Sequence, residues 1–338
     1  MKIAVQKTFI LRCILLSLLL VLGIYIYHTS TPSNKIAPIT DTRFSLNTIV
    51  SITLYDSSDR NILNEAFALC DKYEAIFSRT MQSSELYKLN HSHSTTYHVS
   101  NELASLIETG LYYSSISKGA FDISIAPVSQ LWDFTSEEPI LPDSDKVKHS
   151  LVFVGYNNFK LKNTCLTKKE PENQIDLGAV AKGYIADKIK DYLLNQGVKS
   201  ALINLGGNIL CVGDKNGKPF HIGVQAPFKE RNVTLTTLDI KNKSIVTSGI
   251  YERCFTVGNQ FYHHILNPRT GYPYENDLSS VTILSDKSLD GDALSTTCFA
   301  LGLKDGLKYV NSQNDIDAIF VDSRGTIHYS KHFKKHYS

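Results

Sequence analysis

The strongest constraint on the fold is an irregular succession of strand-like and helix-like segments that no linker interrupts. Residues 44–56 alternate apolar and polar side chains as a strand does, whereas residues 62–77 carry apolar side chains at helical spacing. The order of the segments lacks the steady β–α–β rhythm of a doubly wound sheet. The sequence therefore predicts an α+β fold with mixed sheets and packed helices, in a single domain over residues 43–338.

Further elements follow from the same two periodicities. A helix is expected over residues 101–117, capped by Ser100 or Asn101. The later expected elements are a helix over 175–197, two strands in 201–213 broken at Gly206 and Gly207, short β-runs over 220–265, helices at 289–302 and 304–312, and strands at 317–322 and 327–330.

The N-terminal segment has the pattern of an export signal or a membrane anchor. An apolar run over residues 13–27 follows three basic residues, Lys2, Lys7 and Arg12. Because no small-x-small cleavage site follows, we expect residues 1–28 to form an uncleaved signal anchor, with cleavage as the alternative. Residues 29–42 would form a linker. The domain would then lie outside the cytoplasm, held at the cell membrane.

Charge and cysteine content exclude several classes of protein. The chain has 35 Lys plus Arg against 33 Asp plus Glu, so no bulk charge favours binding to nucleic acid. Five of the six cysteines lie outside the predicted anchor, in an odd number and without CxxC spacing. Neither a disulfide framework nor a zinc site is therefore indicated.

The stretch "LDGDALSTTC", residues 289–298, allows two interpretations. Asp292 could cap a helix by accepting backbone N–H bonds at its start. If Asp292 opens a helix, Thr296 lies four residues later on the same face, where the two oxygens could bind one cation. Both interpretations use the same atoms, and this stretch alone leaves them open.

Three other polar stretches also have a structural and a functional interpretation. Gly206 and Gly207 are typical of a turn, and Lys182 is typical of a solvated helix position. The stretch "HHILNPRTGYP", residues 263–273, predicts a rigid turn that could aim a side chain. If His263 and His264 end a strand, they point to opposite faces, so at most one can enter a given site.

Taken together and in order, these stretches resemble the ApbE family of flavin transferases from about Phe44 to the end of the chain. The resemblance depends on a linked series of motifs: "FSRTMQSSELYKLN", "GAFDISIAPVSQLWDF", "DLGAVAKGYIAD", "INLGGNIL", "SGIYERCF", "HHILNPRTGYP" and "DALSTT". A single match would be weak, but the ordered series is specific.

The resemblance implies a site for FAD and a divalent metal, usually Mg²⁺. It implies that the metal is bound by the side chains of Asp292 and Thr296 and the backbone carbonyl of Ala179, which are all oxygen donors. The residues that it implies for the FAD site are Leu46, Thr80, Ala120, Phe121, Asp122, Asp176, Lys182, Gly207 and Ile265.

The reaction implied is transfer of FMN from FAD to a Ser or Thr hydroxyl of an acceptor redox protein, with release of AMP. In the family the acceptor residue commonly lies in an Asp-Gly-x-Ser/Thr-Gly-Ala-Ser/Thr context. We expect His264 to be the base, because an unperturbed imidazole titrates near pH 6.5. The alternatives are an FAD diphosphatase that yields FMN and AMP, a non-catalytic flavin-binding surface protein, and an anchored structural domain.

The chain departs from the family pattern in three motifs. Leu46-Asn47-Thr48 replaces Met-Gly-Thr in the first strand, and Thr80 replaces an aromatic residue that commonly follows "FSR". Asn267 replaces the aspartate before Pro-Arg-Thr-Gly, which should keep the turn but removes a charge. None of these changes affects the expected metal ligands.

Overall fold

The computed structural model of the protein describes residue 17 and residues 36–136, 138–230 and 233–333. The chain divides into two compact units, Met1–Ala37 and Pro38–Ser338. The predicted anchor at residues 1–28 lies outside the described residues except for Ser17. No helix in the described part of the chain combines the length and the apolar character needed to cross a bilayer.

The second unit is built from fifteen strands and seven helices in its described residues. In chain order they are β1 Ile39–Ser45, β2 Thr48–Leu54, α1 Arg60–Phe77, α2 Glu85–Asn90, β3 Thr96–His98, α3 Asn101–Ile116, α4 Ala126–Ser129, α5 Ser144–Leu151, β4 Phe159–Lys162, β5 Cys165–Lys168, α6 Ala181–Asn195, β6 Ala201–Leu205, β7 Asn208–Val212, β8 Phe220–Gln225, β9 Thr234–Ile240, β10 Ser244–Gly249, β11 Cys254–Val257, β12 Gln260–His263, β13 Leu278–Ser285, α7 Ser288–Val310, β14 Asp317–Asp322 and β15 Ile327–Tyr329.

An eight-stranded sheet organises the fold, in the order β1-β2-β6-β7-β10-β13-β14-β15. Alternate residues of its strands point to opposite faces. In β14, Phe320 enters the larger core beneath the helices, whereas Ile319 and Val321 enter a smaller core with the β8–β9 hairpin. The α+β class and the single domain are thus confirmed. The sheets are not mixed in direction, because every strand pair among the described residues is antiparallel.

Local signals explain where several helices begin. The Asp59 carboxylate accepts the Asn61 N–H at 2.8 Å at the start of α1. Ser100 is the cap of α3, since its hydroxyl accepts the Leu103 N–H at 3.2 Å. The choice between Ser100 and Asn101 is therefore resolved in favour of Ser100.

Two expected boundaries were wrong. Residues 39–42, expected in the linker, belong to β1, where Ile39 pairs with Leu54 at the edge of the sheet. The helix expected from residue 175 begins only at Ala181, because the N–H groups of Val180 and Ala181 both donate to the Leu177 carbonyl and close a turn there.

The two helices expected at 289–302 and 304–312 form the two halves of α7. They meet at Gly302, whose φ of 76° and ψ of 175° are not helical. The first half begins at Ser288, so Asp292 lies in its second turn and does not open it. This placement excludes Asp292 as the cap of its own helix.

Helices α6 and α7 cross where Gly183 faces the backbone of α7. A Cβ at Gly183 would overlap the Ser288 carbonyl oxygen and lie 2.7 Å from the Leu289 Cα. Both of these atoms belong to the backbone, so they cannot rotate away as a side chain could. The crossing therefore requires glycine at position 183.

We predict that Gly183→Ala destabilises the protein by about 1–3 kcal/mol. Helix propensity alone would give the opposite sign, since Ala favours a helix interior by about 1 kcal/mol over Gly. Denaturant unfolding measures the free energy of unfolding of this variant and of the wild-type protein. Asp191→Ala, at an exposed position of α6, is the control. A stabilised Gly183→Ala protein would show that the helices do not approach so closely.

Candidate active site

The candidate site contains two segments that are distant in sequence and contact each other. They are the "GAFD" region and the "NPRTGYP" turn. Three hydrogen bonds join them: Tyr274 Oη donates to the Ala120 carbonyl at 2.7 Å, Trp132 Nε1 to the Gly271 carbonyl at 3.0 Å, and Arg269 Nη2 to the Lys118 carbonyl at 3.3 Å. Every acceptor is a backbone carbonyl. The two segments therefore hold each other in position through their backbones.

Phe121 and Asp122 attach the "GAFD" region to the rest of the domain. Phe121 is buried in the larger core. The Asp122 carboxylate accepts from Ser124 N at 2.8 Å, Ser124 Oγ at 2.6 Å and Tyr156 N at 2.9 Å. Burial raises the pKa of Asp122, and these bonds oppose the increase. The Asp122 carboxylate is thus already hydrogen-bonded within the protein. Of the three "GAFD" residues expected at the FAD site, Ala120 is the one that bonds to the segment around the "NPRTGYP" turn.

Asn267 keeps the turn chemistry expected of it. Its side-chain oxygen accepts the Arg269 N–H at 2.9 Å, and its carbonyl accepts the Gly271 N–H at 2.8 Å. Gly271 has a φ of 76°, a conformation that L-residues rarely adopt. The departure from aspartate at position 267 therefore leaves the local structure intact.

His263 and His264 face different surroundings, as the strand alternation predicts. His263 ends β12 and is buried; its Nε2 lies 3.0 Å from the Tyr274 carbonyl, and its Nδ1 accepts the Ile265 N–H at 3.3 Å. Ile265 is also buried, at 4% exposure. His263 is thus a packed residue with both nitrogens engaged, and His264 remains the candidate base.

The backbone carbonyl of Arg253 orients the His264 ring. It accepts the His264 backbone N–H at 3.1 Å and lies 3.2 Å from His264 Nδ1. Because a carbonyl can only accept, the proton of the neutral ring is placed on Nδ1. The lone pair of Nε2 is then free to accept a proton.

The electrostatic surroundings of His264 differ from the expectation of an unperturbed imidazole. Burial lowers its pKa to about 3, and the positive charges of Arg253 and Lys182 contribute to the decrease. The ring is therefore neutral at physiological pH and can act as an acceptor. The same Lys182 charge lowers the pKa of Asp292, so Lys182 lies within electrostatic range of both residues.

Asp292 and Asp187 cap each other's helices. Asp292 Oδ2 accepts the Gly183 N–H at 2.8 Å in the first turn of α6. Asp187 Oδ1 and Oδ2 accept the N–H groups of Ser288 and Leu289 at 2.8 and 2.9 Å at the start of α7. Asp292 is therefore a cap, but of the neighbouring helix, and burial raises its pKa against the effects of Lys182 and Gly183.

Thr296 lies one turn after Asp292 on α7. Its Oγ1 is 3.0 Å from Ser248 Oγ of β10, which is also 2.8 Å from Ser295 Oγ. Asp290, by contrast, accepts a 2.8 Å bond from Tyr113 Oη and ties α7 to α3. Asp292 and Thr296 thus contact α6 and β10, whereas Asp290 contacts α3.

The loop before α6 brings Ala179 to the same helix end. Asp176 fixes this loop: its carboxylate accepts from Arg79 Nε, Ser129 Oγ and Gly178 N, each at 2.9 Å. Ala179 is partly buried, and its carbonyl accepts no hydrogen bond from the described residues. An unpaired carbonyl beside a capped helix start is available to a ligand.

The remaining expected residues lie at the tips of hairpins or near them. Leu46 and Asn47 form the β1–β2 turn with φ of 56° and 55°, and Gly206 and Gly207 form the β6–β7 turn with φ of 64° and 95°. The Gly206 N–H donates to the Ile49 carbonyl at 3.1 Å, so the two turns are neighbours. Thr80 is exposed after α1, with its N–H 3.3 Å from Ser78 Oγ.

The donors at the α6–α7 crossing fit a hard divalent cation. Asp292, Thr296 and Ala179 offer a carboxylate, a hydroxyl and a backbone carbonyl near this crossing, and oxygen donors are what Mg²⁺ prefers. No cluster of three or more His, Cys, Asp or Glu side chains suited to a metal occurs in the described residues.

Sequence reasoning missed four residues that the geometry makes important: Arg79, Gly183, Asp187 and Arg253. Each lies inside one of the quoted motifs, so a signal was present. Their roles depend on contacts with residues far away in the chain, and a motif read in isolation does not reveal such contacts.

The family model for the ApbE family matches residues 46–320 of the chain. The chain belongs to the ApbE family. An ApbE relative from Klebsiella pneumoniae (strain 342), named FAD:protein FMN transferase, is 37% identical over 277 residues, covering 80% of this chain and 85% of the relative. A second, with the same name, from Treponema pallidum (strain Nichols), is 32% identical over 276 residues, covering 77% and 76%.

Solved ApbE structures share the fold. The ApbE protein from Thermotoga maritima superposes with a TM-score of 0.79 at 30% sequence identity, covering 88% of this chain and 98% of that one. The flavin transferase ApbE from Vibrio cholerae gives the same TM-score of 0.79 at 23% identity, covering 88% and 98%. The architecture described above is therefore that of the family.

We predict that the His264 ring does not titrate between about pH 5 and pH 8, because burial and neighbouring positive charge keep it neutral. The Cε1–H resonance, assigned by its absence in His264→Gln, reports this in an NMR titration. A midpoint near the ordinary value of about 6.5 would show that the ring is solvated and unperturbed.

Proposed function

We propose that the protein transfers FMN from FAD to a Ser or Thr hydroxyl of an acceptor protein and releases AMP. Membership of the ApbE family and the names of the two relatives support the reaction class. The observation that carries the proposal is the orientation of His264: Nδ1 faces the Arg253 carbonyl, and no described residue hydrogen-bonds to Nε2. The ring also lies within range of the charge of Lys182. A base and a cation beside an oxygen-rich helix crossing suit phosphoryl transfer.

The chemical step follows from these groups. The acceptor oxygen attacks the phosphorus on the FMN side, and His264 Nε2 takes the hydroxyl proton. The bond between that phosphorus and the bridging oxygen breaks, and its electron pair leaves with AMP. FAD and a neutral hydroxyl thus give an FMN phosphodiester, AMP and one proton. A pKa of about 3 makes the ring a weak base, so it accepts the proton as the new bond forms.

Mg²⁺ is the metal that we propose for the site, held by Asp292, Thr296 and the Ala179 carbonyl. When bound, it would supply positive charge against the pyrophosphate oxygens. The chain's own contribution is to fix the ligands: Gly183 orients the Asp292 carboxylate, and Asp176 fixes the loop that carries Ala179. Lys182 adds a point charge that offsets the pyrophosphate.

We also propose that residues 1–28 anchor the enzyme in the cell membrane, with the acceptor met outside the cytoplasm. The basic residues before the apolar run of 13–27 support this topology. The partners of the enzyme would then be FAD and a redox protein that carries the modified hydroxyl.

The first test of the function is mass spectrometry of an acceptor. A peptide with Asp-Gly-x-Thr-Gly-Ala-Thr, incubated with the protein, FAD and Mg²⁺, should gain the mass of FMN on threonine as AMP appears. His264→Ala should lose the adduct while FAD still binds, as flavin fluorescence can show. Rapid AMP release without peptide would indicate the diphosphatase, and bound FAD without AMP would indicate a flavin-binding protein.

The second test separates the metal role of Asp292 from its capping role. In Asp292→Asn the side-chain oxygen can still accept the Gly183 N–H, so unfolding free energy should fall by less than about 1 kcal/mol. The charge is lost, however, and the Mg²⁺ concentration for half-maximal transfer should rise at least about tenfold. Asp290→Asn, in contact with Tyr113, is the control with unchanged Mg²⁺ dependence. If both variants showed the same Mg²⁺ dependence, Asp292 would have no role in metal binding and would act only as a helix cap.

A further inference from the structure

The side chain of Arg253 spans the gap between His264 and the β1–β2 turn. Its own backbone carbonyl orients the His264 ring, and its Nη2 lies 3.5 Å from the Asn47 carbonyl. The turn at Leu46–Asn47 neighbours the Gly206–Gly207 turn. The guanidinium therefore lies at one of the hairpin tips expected at the FAD site, on the same residue whose carbonyl orients the base.

This guanidinium has no carboxylate partner among the described residues, unlike those of Arg43 and Arg79. Arg43 is paired with Asp41 at 2.7 Å and Arg79 with Asp176 at 2.9 Å. Arg253 is exposed, and among the described residues its guanidinium hydrogen-bonds only to the Asn47 carbonyl, at 3.5 Å. An arginine is charged at every accessible pH. Its positive charge is thus available to an anion beside His264.

We propose that Arg253 contacts the phosphate on the FMN side of bound FAD and stabilises the charge that develops there during transfer, an inference that rests on the proposed function. The planar fork of a guanidinium can donate two parallel hydrogen bonds to two oxygens of one phosphate. Placed next to the base, these donors act on the oxygens of the phosphorus that the hydroxyl attacks.

Lys182 and Arg253 then have separate tasks. The charge of Lys182 acts on Asp292 and on His264, which places it toward the α6–α7 crossing. Arg253 belongs instead to the segment that leads into the β11–β12 hairpin, and its guanidinium contacts the β1–β2 turn. During the step the proton passes to His264 Nε2, and the electron pair of the broken bond leaves with AMP. Arg253 neither gains nor loses a proton.

The test compares Arg253→Gln and Arg253→Lys with the wild-type protein, with FAD, Mg²⁺ and the threonine peptide as probes. Arg253→Gln should lower kcat by about 10²–10³-fold, as expected when a donor to a developing charge is removed. The dissociation constant for FAD should change less than about tenfold. Arg253→Lys keeps the charge without the fork and should recover part of kcat. Arg324→Gln, at an exposed position in the β14–β15 turn, is the matched control.

Two results would overturn the inference. One is an Arg253→Gln protein with wild-type kcat, and the other is a loss of kcat matched in both variants by a loss of thermal stability, which would indicate a structural role. The experiment distinguishes failure of the proposed function from failure of the role assigned to Arg253. A wild-type protein that yields neither AMP nor adduct overturns the proposed function and this inference with it. An active wild type beside an equally active Arg253→Gln overturns the inference alone.

Discussion

The exchange of caps between α6 and α7 is the interaction on which the rest of the site depends. Each helix places a carboxylate at the first turn of the other, and Gly183 lets the two backbones meet. A buried carboxylate is costly unless its hydrogen bonds are satisfied. Here the unpaired N–H groups of two helix starts satisfy both carboxylates. The same contacts bring Asp292, Thr296 and the loop of Ala179 to one end of the helix pair.

The base side of the site is fixed by a different principle. A carbonyl that can only accept determines which nitrogen of His264 carries the proton. Burial and two neighbouring cations then keep the ring neutral, so its readiness to accept a proton does not depend on pH near neutrality. The proposed metal site would rely on hard oxygens and the proposed base on an oriented nitrogen, and Lys182 lies within electrostatic range of both Asp292 and His264.

Much of this architecture could be predicted from the sequence, for local reasons. The periodicity of residues 62–77 and the cap at Ser100 gave α1 and α3, since both signals lie within a few residues of the elements they define. The ordered motifs indicated the family and candidate site residues such as Asp292 and His264. The start of α6, the partner of the Asp292 cap and the contact between Arg253 and His264 could not be obtained in this way. Each depends on residues that are distant in sequence or on a turn that competes with a helix.

The register of the β11–β12 hairpin has a consequence for how the family can diversify. Cys254 pairs with His263, so Arg253 and His264 are neighbours just beyond the paired strands, far from the hairpin tip at Gly258. Insertions at the tip would leave that pairing unchanged, and loop length there is free to drift during evolution. A slip of one residue would instead turn each of the two histidines to the opposite face of the hairpin. Selection should therefore act on the pairing of this small sheet more strongly than on the length of its loop.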